Sequence, residues 1–173
     1  MQSVRWFDDI AVVVTFRQVD PLYTVDLTDP TDPEVLGELK IPGFSSYLHP
    51  VGEGRLLGLG TAATDEGETP WCADRDVRHL RPDAPDQLAV LRLGEDTQLE
   101  ASYDPRAFTM ATADTFVTTL YQWDGRDEVR HLAVRIGDDG SLEQVADWEA
   151  DWNARALPLG DGRLALVDDD VRL

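Results

Sequence analysis

The sequence predicts an all-β chain of short antiparallel strands, and three observations carry that expectation. Apolar, β-branched runs such as IAVVVTF (10–16) recur along the 173 residues. Clusters of turn formers separate them: DPTDP (29–33), GEG (52–54), GED (94–96), GDDG (137–140) and GDG (160–162). No segment sustains a 3.6-residue apolar period, so helix content should be small.

In chain order, IAVVVTF has the composition of a buried strand. PLYTVDL (21–27) sets Leu22, Thr24 and Asp26 against Tyr23, Val25 and Leu27, as a strand with two distinct faces does. The prolines of DPTDP force a turn before EVLGELK (34–40) resumes a strand. Further strands are expected near 44–49, 55–60, 87–93, 97–103, 107–112, 115–121, 129–136, 141–148, 155–159 and 163–168.

These strands repeat in a fixed order. VRWFDDIAVVVTF (4–16), SSYLHPVGEGRLLGLG (45–60), AFTMATADTFVTTLY (107–121) and ARALPLGDGRLALVD (154–168) each run strand, tight Asp/Gly turn, strand. The first three are followed by a second hairpin, at 21–40, 86–103 and 128–148. With Asp9, Gly54, Asp114 and Gly162 as equivalent turn positions, the spacings are about 45, 60 and 48 residues, against about 40–45 for a four-stranded propeller blade. The long interval holds an insertion at 62–86. The expected architecture is therefore a partial β-propeller of about three and a half four-stranded antiparallel blades. They are residues 1–43, 44–104 with the insertion, 105–152 and a half blade at 153–173. A β-sandwich spaces its strands similarly but does not call for a repeated pair of hairpins.

Composition bounds the function. A chain that is 42% hydrophobic and 28% charged is globular, and its length can bury a sizeable core. Thirty-four acidic against 15 basic residues give a net charge of −19, which argues against nucleic acid and anionic membrane partners. No apolar run is long enough for a membrane helix, and no signal peptide follows Met1. The acidity, with Lys40 as the only lysine, fits halophilic adaptation or an Arg-favouring genome with Asp-rich turns. The single cysteine, Cys72, leaves no internal disulfide.

Residues 15–50 carry a longer signature: TFRQ followed by DPLY, then DLTDPTDP, GELKIPGF and SSYLHP. This stretch resembles a secreted β-propeller family of bacteria and archaea, distantly related to WD-repeat proteins and without an assigned activity. SYDPRAF (102–108) and the ARALPLGDGRLALV segment resemble later blades of that family more loosely. The resemblance implies that the chain corresponds to the C-terminal portion of a longer propeller. It also implies an extracellular setting, and association with a second copy or an upstream half to close the ring.

Candidate chemistry is sparse. Asp26, Asp29 and Asp32 recur at every third position and raise the question of calcium, but without the spacing of an EF-hand loop. Asp168, Asp169 and Asp170 follow an apolar strand as a candidate rim. His49, His79, His131 and Cys72 match no standard zinc spacing, and Ser45 and Ser46 beside His49 lack a nucleophile elbow. No cofactor is predicted. Arg17, Asp20 and Tyr23 are placed around the loop between the hairpins of the first blade, as an ion-paired pin or a recognition surface. With Tyr47, His49 and Trp71 they form the candidate binding set; Trp123 and Trp148 are further aromatics suited to sugars or protein. The expected function is a non-catalytic binding or scaffold module for a protein or glycan partner, its loops led by the 62–86 insertion. The rivals are a hydrolase with its site in the channel, metal-dependent or not, and a non-functional fragment of a longer propeller.

Overall fold

The computed structural model describes residues 3–7, 9–14, 20–41, 43–52, 54–63, 75–81, 86–123, 125, 127–160, 162–167 and 171–172. Four antiparallel sheets follow one another along the chain. Sheet 1 comprises β1 (Ser3–Phe7), β2 (Ile10–Val14), β3 (Asp20–Asp26) and β4 (Glu34–Ile41), in that order. Sheet 2 repeats the pattern with β5 (Phe44–Pro50), β6 (Leu56–Thr61), β7 (Arg75–Arg81) and β8 (Asp86–Arg92). Sheet 3 holds β9 (Thr97–Leu99), β10 (Phe108–Met110), β11 (Thr115–Gln122), β12 (Glu128–Ile136) and β13 (Leu142–Glu149). Sheet 4 comprises β14 (Arg155–Pro158), β15 (Leu164–Val167) and β16 (Val171–Arg172). Among the described residues the helical elements are two single turns of 3-10 helix, Glu100–Ser102 and Pro105–Ala107.

The alternation of side chains along each strand makes the sheets stack like blades. On β6, Leu56 packs with Val12, Val14 and Leu22 of sheet 1, while Leu57 and Leu59 point the other way, into sheet 3. On β11, Phe116 and Leu120 face sheet 2, whereas Val117 joins Ala156 of sheet 4. Sheets 2 and 3 are thus buried on both faces, which is why LLGLG reads as a continuous apolar run rather than an alternation. The largest cluster lies between these two sheets and includes Leu57, Leu59, Val77, Leu99, Phe116, Leu132 and Val134, all 0–2% exposed. Each such side chain contributes about 1.5–3 kcal/mol of burial free energy.

Two glycines allow a close approach in sheet 2. A Cβ on Gly60 would overlap the Phe44 carbonyl, and one on Gly58 would overlap the Ser45 hydroxyl. This is where β5 bulges between Ser45 and Tyr47 against β6. The aspartates of the DPTDP region serve the turn itself. Asp26 accepts from the backbone N–H and hydroxyl of Thr28 at 2.8 and 2.6 Å, and Asp29 does the same with Thr31 at 2.9 and 2.7 Å.

The structure differs from the sequence expectation in sheet 2. The second hairpin expected at 86–103 is instead β7 paired with β8, so part of the 62–86 insertion is the third strand of the sheet. RDVRHLR conceals it because only Val77 and Leu80 are aliphatic, and each is fully buried on a different face. The 97–103 stretch is not one strand either. Its first part, β9, pairs with Leu120–Gln122 of β11, and β10 pairs with Phe116–Thr118 of the same strand. The first strand of sheet 3 is therefore interrupted by an excursion through residues 100–107. Sheet 4 carries three strands among the described residues.

Candidate binding surface at the first strands

The first strands of neighbouring sheets lie side by side, β1 against β5 and β10 against β14. Their side chains make a knot across three sheets. The Arg5 guanidinium lies 5.4 Å from the Tyr47 ring centre, and its Nε donates to the Leu48 carbonyl at 3.1 Å. The Tyr47 hydroxyl and His49 Nδ1 are 3.2 Å apart. The His49 ring packs on Phe108 at 4.5 Å, and Phe108 on Phe116 at 5.1 Å.

Burial first, and then the Arg5 charge, pushes the proton affinity of His49 down, which favours the neutral imidazole beside the phenol. Burial raises the Tyr47 phenol, with Arg5 opposing. Among the described residues no carboxylate is bonded to the imidazole, and burial favours the protonated phenol. The described cluster offers stacking and hydrogen bonding, and burial moves the proton affinities of its imidazole and phenol apart, down for His49 and up for Tyr47.

The excursion at 100–107 ties this knot to its neighbours. The Ser46 and Ser102 hydroxyls are bonded at 2.7 Å, joining β5 to sheet 3. Asp104 caps the second 3-10 turn through the Arg106 N–H and receives Arg155 Nη2 of β14 at 2.6 Å. A cleft of about 150 Å³ opens between sheets 2 and 3, lined by Arg92, Gln122, Arg130, Gln144 and Asp147 among others. Arg130 there is bonded to Asp147 at 2.6 Å. The cleft is below the roughly 300–1,000 Å³ of ordinary ligand pockets.

Of the residues singled out from sequence, Tyr47 and His49 come together, 7% exposed and half-buried respectively. Tyr23 lies within β3, opposite Val13 and Glu38, rather than in a loop. Asp20 opens the same strand opposite Ile41. Arg17, Trp71, Cys72 and Asp168–Asp170 lie outside the described residues. Ser45 is buried in the bulge. His131 is 1% exposed with Nδ1 3.2 Å from the Thr119 hydroxyl, a core histidine between sheets 3 and 4. Among the described residues, no group of three or more His, Cys, Asp or Glu is arranged to hold a metal ion. Sequence reasoning missed Arg5 and Phe108, whose sole signal was their place on the first strand of a repeat.

Comparison with known proteins agrees with this architecture. The Beta propeller domain family matches residues 1–136. An uncharacterized protein of Archaeoglobus fulgidus is 53% identical over 58 residues, 34% of this chain and 9% of the relative. The uncharacterized protein MJ1554 of Methanocaldococcus jannaschii is 52% identical over the same extent of each chain. This chain thus matches only a small part of the length of either relative. A chain in the structure of a yeast Dbp5 variant bound to Nup159, a Gle1 variant, IP6 and ADP aligns with TM-score 0.41 and 12% identity, covering 86% of this chain and 36% of that one. That likeness is too low to bear on fold or function. On the family match, which spans most of its length, the chain belongs to the beta propeller domain family.

Proposed function

We propose that this chain is a non-catalytic propeller module that binds a protein or glycan partner on a rigid frame. The observation that carries this reading is a set of exposed large aromatics: Trp6 on β1 (69%), Tyr103 within the excursion (72%) and Trp152 in the turn between sheets 3 and 4 (61%). Rings this exposed contribute little to the core and suit contact with a partner. A glycosidase built on a carboxyl pair in the channel would need one carboxylic acid held protonated near neutrality. The shifted carboxyls among the described residues, Asp26, Asp29, Asp104, Asp114 and Asp139, all move the other way, each through hydrogen bonds it accepts. The likeness to a secreted family supports an extracellular setting, and the net charge of −19 supports a saline one. The test is incubation of the purified chain with chromogenic glycosides, esters and peptides, with and without calcium or zinc. The expected result is no turnover; hydrolysis lost on Tyr47→Phe or His49→Gln would overturn the reading.

A further inference from the structure

Two residues past the equivalent turn positions Asp9, Gly54, Asp114 and Gly162 stand Ala11, Leu56, Phe116 and Leu164. Leu56 packs on sheet 1, Phe116 on sheet 2 and Leu164 on sheet 3, so this position faces the preceding sheet. Ala11 is its counterpart in sheet 1, whose packing on sheet 2 uses the other face, through Val12, Val14 and Leu22. Val4 and Trp6 of β1, Val13 of β2, and Tyr23 and Val25 of β3 share the face of Ala11 through the strand register. These positions carry no charge in a chain that is 28% charged, yet Trp6 is 69% exposed and Val4, Val13, Tyr23 and Val25 are only partly buried. The register equivalents of Val4 in the later sheets are Leu48, Phe108 and Ala156, all buried.

A second recurring contact identifies what fits this face. On each first strand the next residue reaches forward onto the following sheet. Arg5 Nε donates to the Leu48 carbonyl at 3.1 Å, the His49 ring packs 4.5 Å from Phe108, and the Thr109 hydroxyl donates to the Ala156 carbonyl at 2.7 Å. Leu157 is the fourth member of the series, opposite Ala165 as Arg5 is opposite Val12. Leu164 and Leu166 pack toward sheet 3, which puts Leu157 on the far face of sheet 4, 49% exposed.

We infer that this face of sheet 1 is covered by sheet 4 of a second copy of the chain, with Leu157 of one copy set against Val4 and Trp6 of the other. The contact continues the stacking already made between sheets 1 and 2, 2 and 3, and 3 and 4, and it joins the one free donor position of the series to its one free acceptor position among the described residues. Two stacks of four sheets joined head to tail at both ends fall within the roughly four to eight blades at which propeller rings close. A head-to-tail contact that did not close would instead grow into filaments. Two chains that each carry −19 repel one another, so the apolar contact should tighten as salt rises. The pairing is separate from the ligand binding proposed above. It occupies Trp6 and leaves for a ligand both Tyr103 and Trp152, the latter edge-on to Tyr121 at 5.4 Å.

The test is the native mass of the whole chain by light scattering, over about 10–200 µM in about 1 M sodium chloride, where self-repulsion is screened. The expected mass is that of two chains. Trp6→Asp and Leu157→Asp, both at exposed positions, should each halve it with an unchanged circular dichroism spectrum. Mixing these two variants should restore the two-chain mass at the upper concentrations, because one of the two contacts then has both native faces. Tyr103→Asp, which adds the same charge at another exposed ring, should leave the mass of the unaltered chain. A one-chain mass throughout overturns the inference, as does a two-chain mass that survives either Trp6→Asp or Leu157→Asp. Loss on Trp6→Asp alone would mean that two sheet 1 faces meet, and masses beyond two chains would mean an open filament; either result overturns the closed pair.

Discussion

Replacing Asp104 by alanine should lower the unfolding free energy by about 2–4 kcal/mol, most of it through one contact between sheets. Asp104 Oδ2 and Arg155 Nη2 are 2.6 Å apart, and both side chains are 17% exposed. A hydrogen bond to a charged partner in such a place contributes about 1.5–3 kcal/mol, and loss of the acceptor for the Arg106 N–H adds about 0.5–1 kcal/mol. The Arg106 side chain is 83% exposed, so its own ion pair with Asp104 adds little stability after solvent screening. Arg106 is nonetheless the larger influence on the proton affinity of Asp104, followed by Arg155, and together they hold the carboxyl far below its ordinary 3.8. Because the folded-state value is depressed, the contribution is complete above about pH 4 and is lost as pH falls below it. The assay is a double-mutant cycle in urea with Asp104→Ala, Arg155→Ala and the double variant, at neutral pH and again near pH 3. At neutral pH the coupling should be about 1–3 kcal/mol with unchanged m values, shrinking in acid. A coupling below about 0.5 kcal/mol at neutral pH would refute the idea that this pair pins the excursion to sheet 4.

Three further outcomes follow from the same structure. Phe116→Ala, at a fully buried position in the cluster between sheets 2 and 3, should cost about 3–5 kcal/mol in a urea melt; a loss under about 1 kcal/mol would contradict the packing described. Burial, then Arg155, depresses the proton affinity of His131, so the folded chain binds fewer protons than the unfolded one around the ordinary value of 6.5. Stability should therefore be complete above that value and fall as pH drops through it, and His131→Gln should flatten the slope between about pH 7 and 5; an unchanged slope would count against it. With a net charge of −19, the melting temperature should rise between about 0.1 and 2 M sodium chloride as self-repulsion is screened, and a flat or falling curve would remove charge repulsion as a destabilising force.

The fold class was legible because it rests on local signals. Val12, Leu57 and Phe116 lie in runs that can only be strands, and Asp26 and Asp29 announce their turns by the threonines two residues on. The repeat of hairpins then fixed the blade-like order, since each sheet needs a neighbour to cover its apolar faces. Charge masked the rest. Four of the seven residues of β7 are arginine or aspartate, so its two buried aliphatic residues make no visible pattern, and the sequence places the strand within an insertion. Only tertiary structure decided that 97–99 and 108–110 share one partner strand, because pairing to β11 depends on contacts across the excursion between them. The same holds for the sites. Sequence named both Tyr47 and His49 as candidates, and in the structure their spacing of two on β5 sets them on the same face. It gave no hint that Arg5 and Phe108 close around them, or that Trp152 meets Tyr121. Those contacts join different sheets, and the order of residues along a chain carries no information about which blade faces which until the faces are packed.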